Sequence, residues 1–273
     1  MGSGIAEVCA RAGMDVTVVE SDEERAARAR GSIERSLRRA VGAGKLEQPA
    51  AEEALKRVAV SAKLEDVGGA DAAIEAIVEV ESAKQEVFRE LDRVLPDARF
   101  LATNTSSVPI MKLAAQTADP HRVLGLHFFN PVPVMKLVEV VRSIMTSDEV
   151  LAEAKGFVRE LGKECVDSQD RAGFIVNALL VPYILSAIRM YESGFASKED
   201  IDGGMVLGCA HPMGPLALAD LVGLDTLLFV AGSLHDEFRD AASVPPPLLN
   251  RMVEAGLLGR KTGAGFYEYP DAG

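Results

Sequence analysis

Cysteine is sparse in this sequence. Cys9, Cys165 and Cys209 are odd in number and widely separated, and no CxxC occurs. That argues against a disulfide framework or a zinc site and fits a reducing compartment. Positive charge is in deficit: 29 Lys and Arg stand against 41 Asp and Glu, for a net charge of −12. Such a balance argues against nucleic acid as a partner. No apolar run reaches the roughly 20 residues that a membrane span needs. The most apolar stretch, Ile175 to Ile188, is interrupted by Asn177 and Pro182. No segment reads as a signal peptide, and no tract is of low complexity. The expectation is a soluble cytoplasmic protein with no membrane partner. Its 273 residues, 48% hydrophobic, suffice for one or two domains with a sizeable core.

A further absence is local. Met1-Gly2-Ser3-Gly4-Ile5-Ala6 reads as the second half of a glycine-rich G-x-G-x-x-G turn, with Gly2 as its third glycine. Such a turn normally follows a β-strand and opens a helix. The helix is there, from Ile5 to Ala12 and closed by Gly13, but no strand precedes it. The β-branched run Asp15-Val16-Thr17-Val18-Val19 then ends in Glu20. A second strand ending in an acid about 20 residues past the glycines is where the dinucleotide fold bonds the adenosine ribose. An acid there repels a 2′-phosphate, so the pattern points to NAD over NADP. A sheet without its first strand has two open edges and an uncovered apolar face. The chain as it stands is therefore expected to express poorly or bind NADH weakly, and an upstream extension of roughly 10–15 residues to restore both.

The first half alternates helix-like and strand-like segments. Helical patterns run from Asp22 to about Val41, Ala51 to Arg57, Ser82 to Val94 and Ile110 to Ala118. Strand patterns cover Val58 to Val60, Ala73 to Val80, Phe100 to Ala102, Val123 to Phe129 and Leu137 to Val141. This alternation predicts a parallel, doubly wound α/β sheet with helices on both faces. Around residue 170 the pattern changes, and from Gly173 onward only helical segments are found: Phe174 to Tyr191, one opened by Ser197 with Asp200, Leu216 to Val230, and a last one from Pro245-Pro246-Pro247 to Gly256. The division expected is a nucleotide-binding domain over 1–170 and an all-α substrate and dimerisation domain over 171–273, with a ligand cleft between them.

Three segments carry candidate chemistry. Thr103-Asn104-Thr105-Ser106-Ser107 follows a strand, at the carboxyl end where α/β sheets bind ligands; it is longer than a helix cap needs. His127 lies near the end of an apolar strand. Glu139 is a lone carboxylate among valines, where an unpartnered charge is costly. A lone histidine on an apolar strand is more often a satisfied core residue than a catalyst. Paired with a carboxylate on an adjacent strand, it is a tuned general base.

The stretch from Gly125 to Glu139, GLHFFNPVPVMKLVE, resembles the signature of the 3-hydroxyacyl-CoA dehydrogenase family. So do Asn104-Thr105-Ser106-Ser107, Gly173-Phe174-Ile175-Val176-Asn177, His211-Pro212-Met213-Gly214-Pro215 and Lys261-Thr262-Gly263-Ala264-Gly265-Phe266-Tyr267. The likeness runs from residue 1 to about Tyr269. It is greatest to the single-function bacterial members that act on 3-hydroxybutyryl-CoA. The resemblance implies a Rossmann-type domain followed by an all-α domain, and NAD-dependent oxidation of an (S)-3-hydroxyacyl-CoA to the 3-oxoacyl-CoA, or the reverse.

It also implies roles. His127 is the base for the substrate 3-hydroxyl, Glu139 orients it, and Ser106 and Asn177 hydrogen-bond the reacting oxygen. Gly2, Gly4 and Glu20 serve the adenosine and phosphate half of the cofactor. Glu79, Lys84, Asn104 and Ser106 serve the nicotinamide half, although Glu79 and Lys84 alone would read as a helix-start acid and a surface lysine. The basic segment Arg25, Arg28, Arg30, Arg35, Arg38, Arg39 and Lys45 suits the phosphates of coenzyme A, or is a solvated helix face. Ser36 and, with a differing loop, Lys45 match the coenzyme A positions, and Asn130 and Lys261 match other substrate contacts. A homodimer is implied. A relative acting on another hydroxy acid, or a catalytically impaired fragment, remains as an alternative.

Overall fold

The computed structural model describes residues 1–270, which divide into two compact units, Met1–Asp170 and a second that begins at Arg171. In the first unit the order is α1 (Gly2–Arg11), β1 (Val16–Val19), α2 (Glu23–Gly42), α3 (Gln48–Lys56), β2 (Val58–Ser61), β3 (Ala72–Glu75), α4 (Glu81–Val94), β4 (Phe100–Thr103), α5 (Ile110–Ala114), β5 (Val123–Phe128), β6 (Leu137–Arg142), α6 (Asp148–Glu160) and β7 (Glu164–Gln169). Local chemistry sets the boundaries. Asp22 caps α2, its Oδ1 accepting from Arg25 N at 2.8 Å, and Glu23 and Glu24 complement the helix dipole. The helix buries Ala26, Ala29, Ile33 and Leu37, a spacing of three to four that makes one apolar stripe. Ser147 caps α6 in the same way.

The strands form two ladders. β1 pairs with β2, and the other five lie in the order β3-β4-β5-β6-β7. All pairings are parallel except β5 with β6, which is antiparallel. The expected parallel sheet is present apart from this one pair. Only residues 129–136 join β5 to β6, and a parallel crossover needs a dozen or more residues. Strand β3 is also shorter than the expected 73–80. The Glu75 carboxylate accepts from Ile77 N at 2.6 Å and turns the chain out of the ladder. Helix α5 stops at Ala114 rather than Ala118, where Thr117 Oγ1 bonds the Ala114 carbonyl and Ala118 N donates to Asp92. The pattern reading assigned nothing to residues 142–170, which hold α6 and β7.

Alternation along β5 places the site. Leu124, Leu126 and Phe128 join Ile5, Val8 and Cys9 of α1 and Leu151, Ala154 and Val158 of α6 in one cluster. Side chains of period two alternate faces, so Gly125 and His127 face the other side. A Cβ at Gly125 would lie 2.9 Å from Ile110 Cδ1, which puts α5 there. Cys9 is enclosed in the first cluster, and burial pushes its thiol up to about 12, too high for a nucleophile at neutral pH.

The second unit holds α7 (Val176–Glu192), α8 (Lys198–Cys209), α9 (Pro215–Val222), α10 (Leu224–Phe238) and α11 (Pro247–Glu254) around one core. Ser197 caps α8, accepting from Asp200 N at 3.1 Å. The single helix expected over 216–230 is two helices bent by 97° at Gly223, whose φ is 100°. No single helix among the described residues is long and apolar enough to cross a membrane. The unit is not wholly helical: isolated bridges join Gly259 to Ala264 and Ala264 to Glu268. They carry the Lys261–Tyr267 motif, held by the buried Asp220, which accepts from Phe266 N and Tyr267 N at 2.9 Å and from Tyr269 OH at 3.1 Å. A Cβ at Gly265 would lie 2.0 Å from Asp220 Oδ1. Gly265→Ala is therefore expected to destabilise the protein by about 3 kcal/mol, read as a lowered midpoint in urea unfolding. An unchanged midpoint would show that this strap shifts freely.

Candidate active site

Antiparallel pairing brings the two residues of interest face to face. His127 and Glu139 are direct register partners in β5 and β6, where opposite Cβ atoms lie about 5 Å apart. Their side chains meet at 2.6 Å, His127 Nδ1 to Glu139 Oε2. Glu139 is fully buried and His127 is 7% exposed. A carboxylate only accepts, so Nδ1 carries the donated proton and Nε2 is the ring's proton-accepting nitrogen. The Phe129 ring, 4.7 Å away between centroids, packs on the imidazole. The arrangement can take a proton from a hydroxyl and stabilise the imidazolium that forms.

The loop after β4 lies at the same edge. Asn104 Oδ1 accepts from Phe128 N at 2.8 Å, tying the loop to the residue after His127. Glu79 organises the rest: its Oε1 accepts from Ser106 N at 2.9 Å, Ser107 N at 3.1 Å, Ser107 Oγ at 3.0 Å and the Thr105 hydroxyl. Burial pushes the Glu79 carboxyl up, but the Lys84 charge and the hydrogen bonds from Thr105, Lys84 and Ser106 outweigh it and hold the group below the usual carboxylate range. Lys84 is no surface lysine. It is 1% exposed and pairs with Glu75 at 2.8 Å and Glu79 at 3.1 Å. The pattern reading missed Glu75, and it marked Thr103 and Thr105 only as members of the polar 103–107 segment without a role of their own. Glu75 shows the signal that marked Glu139, a lone acid in an apolar strand.

A dinucleotide can be held at the start of α1. The helix has no side-chain cap, and uncapped first-turn amides suit a phosphate. Gly4 sits where α1 approaches the loop after β5, since a Cβ there would meet Val132 Cβ at 3.0 Å. Ser3 and Glu20, with Arg25, Arg28, Ser32 and Arg35, line a shallow open groove beside this terminus. The residues present fit the adenosine half of NAD, with a carboxylate at Glu20 that a ribose hydroxyl could bond.

The other expected positions lie on several different elements. Ser36 is half-buried on α2 and Lys45 is exposed just beyond it. Much of the basic segment is already used: Arg25 pairs with the cap residue Asp22, Arg28 and Arg38 pair with Glu24 and Glu34 on the same helix, and Arg30 bonds the carbonyls of Leu55 and Val58. Asn130 is exposed at the cis bond before Pro131. In the second unit, Asn177 lies in the first turn of α7. Lys261 is paired at 2.5 Å with Asp225, whose carboxyl is pushed up by burial yet drawn down overall by that lysine. Among the described residues no group of three or more His, Cys, Asp or Glu could hold a metal ion.

Comparison with known proteins covers both units. Residues 1–171 match the 3-hydroxyacyl-CoA dehydrogenase NAD-binding domain, and residues 173–269 match the C-terminal domain of that family. The chain is 56% identical over 272 residues to a 3-hydroxybutyryl-CoA dehydrogenase of Mycobacterium tuberculosis, covering 98% of this chain and 95% of that protein. The crystal structure of M. tuberculosis FadB2 superposes with a TM-score of 0.96 at 56% identity, over 98% of this chain and 95% of that one. That of (S)-3-hydroxybutyryl-CoA dehydrogenase PaaH1 from Ralstonia eutropha gives 0.94 at 42%, over 99% and 96%.

Proposed function

The chain belongs to the 3-hydroxyacyl-CoA dehydrogenase family, and from that premise we propose how its residues divide the work. It is an NAD-dependent oxidoreductase that interconverts a 3-hydroxyacyl-CoA and the 3-oxoacyl-CoA. The observation that carries the assignment of roles is the buried His127–Glu139 pair at the carboxyl end of β5. NAD, when bound, supplies the acceptor for the hydride that leaves C3. His127 Nε2 takes the proton of the 3-hydroxyl as the C3=O bond forms, and in reduction returns it to that oxygen. Glu139 holds the ring in the accepting tautomer and balances the imidazolium charge. Ser106, fixed through its amide by Glu79, and Asn177 are assigned to the reacting oxygen.

Further assignments deepen this reading. Ser36, Lys45, Asn130 and Lys261 are assigned to the coenzyme A thioester, with 3-hydroxybutyryl-CoA as substrate. For Lys261 this requires the thioester to compete with Asp225. Exposed Leu179, Phe195 and Leu207 in the helical unit support a homodimer, since large apolar side chains at a surface mark interfaces. The three free cysteines support a cytoplasmic location, since a reducing compartment keeps thiols unpaired.

The test is oxidation of NADH followed at equal concentrations of acetoacetyl-CoA and free acetoacetate. Turnover of the thioester is expected to exceed that of the free acid by at least about 100-fold, the worth of two or so well-made polar contacts to the coenzyme. Equal rates would remove the coenzyme A assignment. Replacing NADH with NADPH is expected to lower the rate through Glu20.

A further inference from the structure

Glu75 has no part in the chemistry above, yet it is 4% exposed and fully engaged. Its Oε1 accepts from Lys84 Nζ at 2.8 Å and Ile77 N at 2.6 Å, and its Oε2 accepts from Thr103 Oγ1 at 2.7 Å. Each contact leads to the rim of the site. Ile77 opens the segment that carries Glu79. Lys84 pairs with Glu79 Oε2 at 3.1 Å, and Thr103 Oγ1 accepts from Thr105 N at 3.1 Å. Glu79 in turn holds the amides of Ser106 and Ser107. Glu75 and Thr103 are register partners at the ends of β3 and β4, and Asn104 ties the same loop to Phe128, next to His127.

The charge count is the unexplained part. Hydrogen bonds alone would anchor this loop: a glutamine at 75 could accept from Lys84 and Ile77 through its oxygen and donate to Thr103 Oγ1 in a reversed bond. Lys84 already has one carboxylate in Glu79. A second carboxylate leaves the cluster with one uncompensated negative charge, at a cost that burial makes large. A structure that keeps such a charge at the edge where hydride is exchanged biases any ligand whose charge changes there. NAD+ carries a positive nicotinamide and NADH a neutral one.

We propose that Glu75 is a positioning residue that fixes the 103–107 loop and, with Lys84 and Glu79, sets a net negative charge at the site edge that favours the oxidised cofactor over the reduced one. The inference rests on the dinucleotide reading above.

The experiment is titration calorimetry of the full chain with NAD+ and with NADH. Glu75→Gln is expected to weaken NAD+ binding about tenfold more than NADH binding, the scale of one unit charge in a partly buried site. Joint replacement Glu75→Met and Lys84→Met removes one charge of each sign. It is expected to weaken both cofactors but return their ratio to that of the wild type. Thr103→Val loosens the loop without changing charge and is expected to leave the ratio alone. Equal weakening of both cofactors by Glu75→Gln would overturn the proposal, as would a ratio that stays shifted in the joint variant. If Glu75→Gln does not fold, Glu79→Gln removes the same charge, and an unshifted ratio there overturns it equally. Wild-type protein that binds neither form would instead sink the cofactor reading itself.

Discussion

Replacing His127 by Gln is expected to lower kcat for acetoacetyl-CoA reduction by about 10²–10⁴-fold, the usual worth of a positioned acid–base group, while NADH affinity is retained. Glutamine nearly preserves the volume, so β5 keeps its packing against β4 and β6. Its amide can still reach Glu139, but it cannot take up a proton from an alcohol or return one to a carbonyl oxygen. The loss should fall equally on kcat and kcat/KM, because the interaction removed is made in the transition state and not in the ground state. Stopped-flow or steady-state absorbance of NADH, alongside calorimetric NADH binding, separates the two. A kcat within a few-fold of the wild type would show that another group moves the proton.

Replacing Glu139 by Gln is expected to reduce kcat nearly as far, by about 10²-fold or more. The argument is one of tautomers. The carboxylate can only accept, so it holds the proton on His127 Nδ1, at 2.6 Å, and leaves Nε2 to act as base. An amide can present its NH2 to Nδ1 instead. The ring then carries its proton on Nε2 and cannot accept another there. The charge that balances the imidazolium is also gone, in a place where Glu139 is fully buried between Val138 and Val140. Because the amide is isosteric, the midpoint of unfolding should change little and the loss should appear in kcat. An undiminished kcat in a folded Glu139→Gln protein would reduce Glu139 to a packing residue.

Particular residues show where sequence reasoning reached and where it stopped. The lone acid at 139 was legible because valines flank it and a buried charge demands a partner. The partner was legible only as a candidate, since 12 positions of separation do not say that β5 and β6 run antiparallel in register. The same lone-acid signal at Glu75 was obscured because the strand pattern continues to Val80; only the Ile77 amide bond shows where the strand ends. Lys84 looked like a solvated lysine, since nothing in a helical repeat reveals that two carboxylates wait beneath it. The basic segment left a phosphate patch and a solvated helix face both open, and in the fold several of its arginines are committed to neighbouring acids and carbonyls.

By itself the sequence determined most of the elements and the chemistry available to them: alternation of apolar periods, caps such as Ser197, the glycines at the start of α1, and the presence of a histidine and lone acids in otherwise apolar strands. These follow from local rules, because period, capping and burial cost depend on residues a few positions apart. What only the tertiary structure decided was which distant groups meet: the reversed direction of β6, the 2.6 Å contact of His127 with Glu139, and the enclosure of Lys84 by Glu75 and Glu79. Those depend on strand order and direction, which loop length and whole-domain packing select, and no local period encodes them.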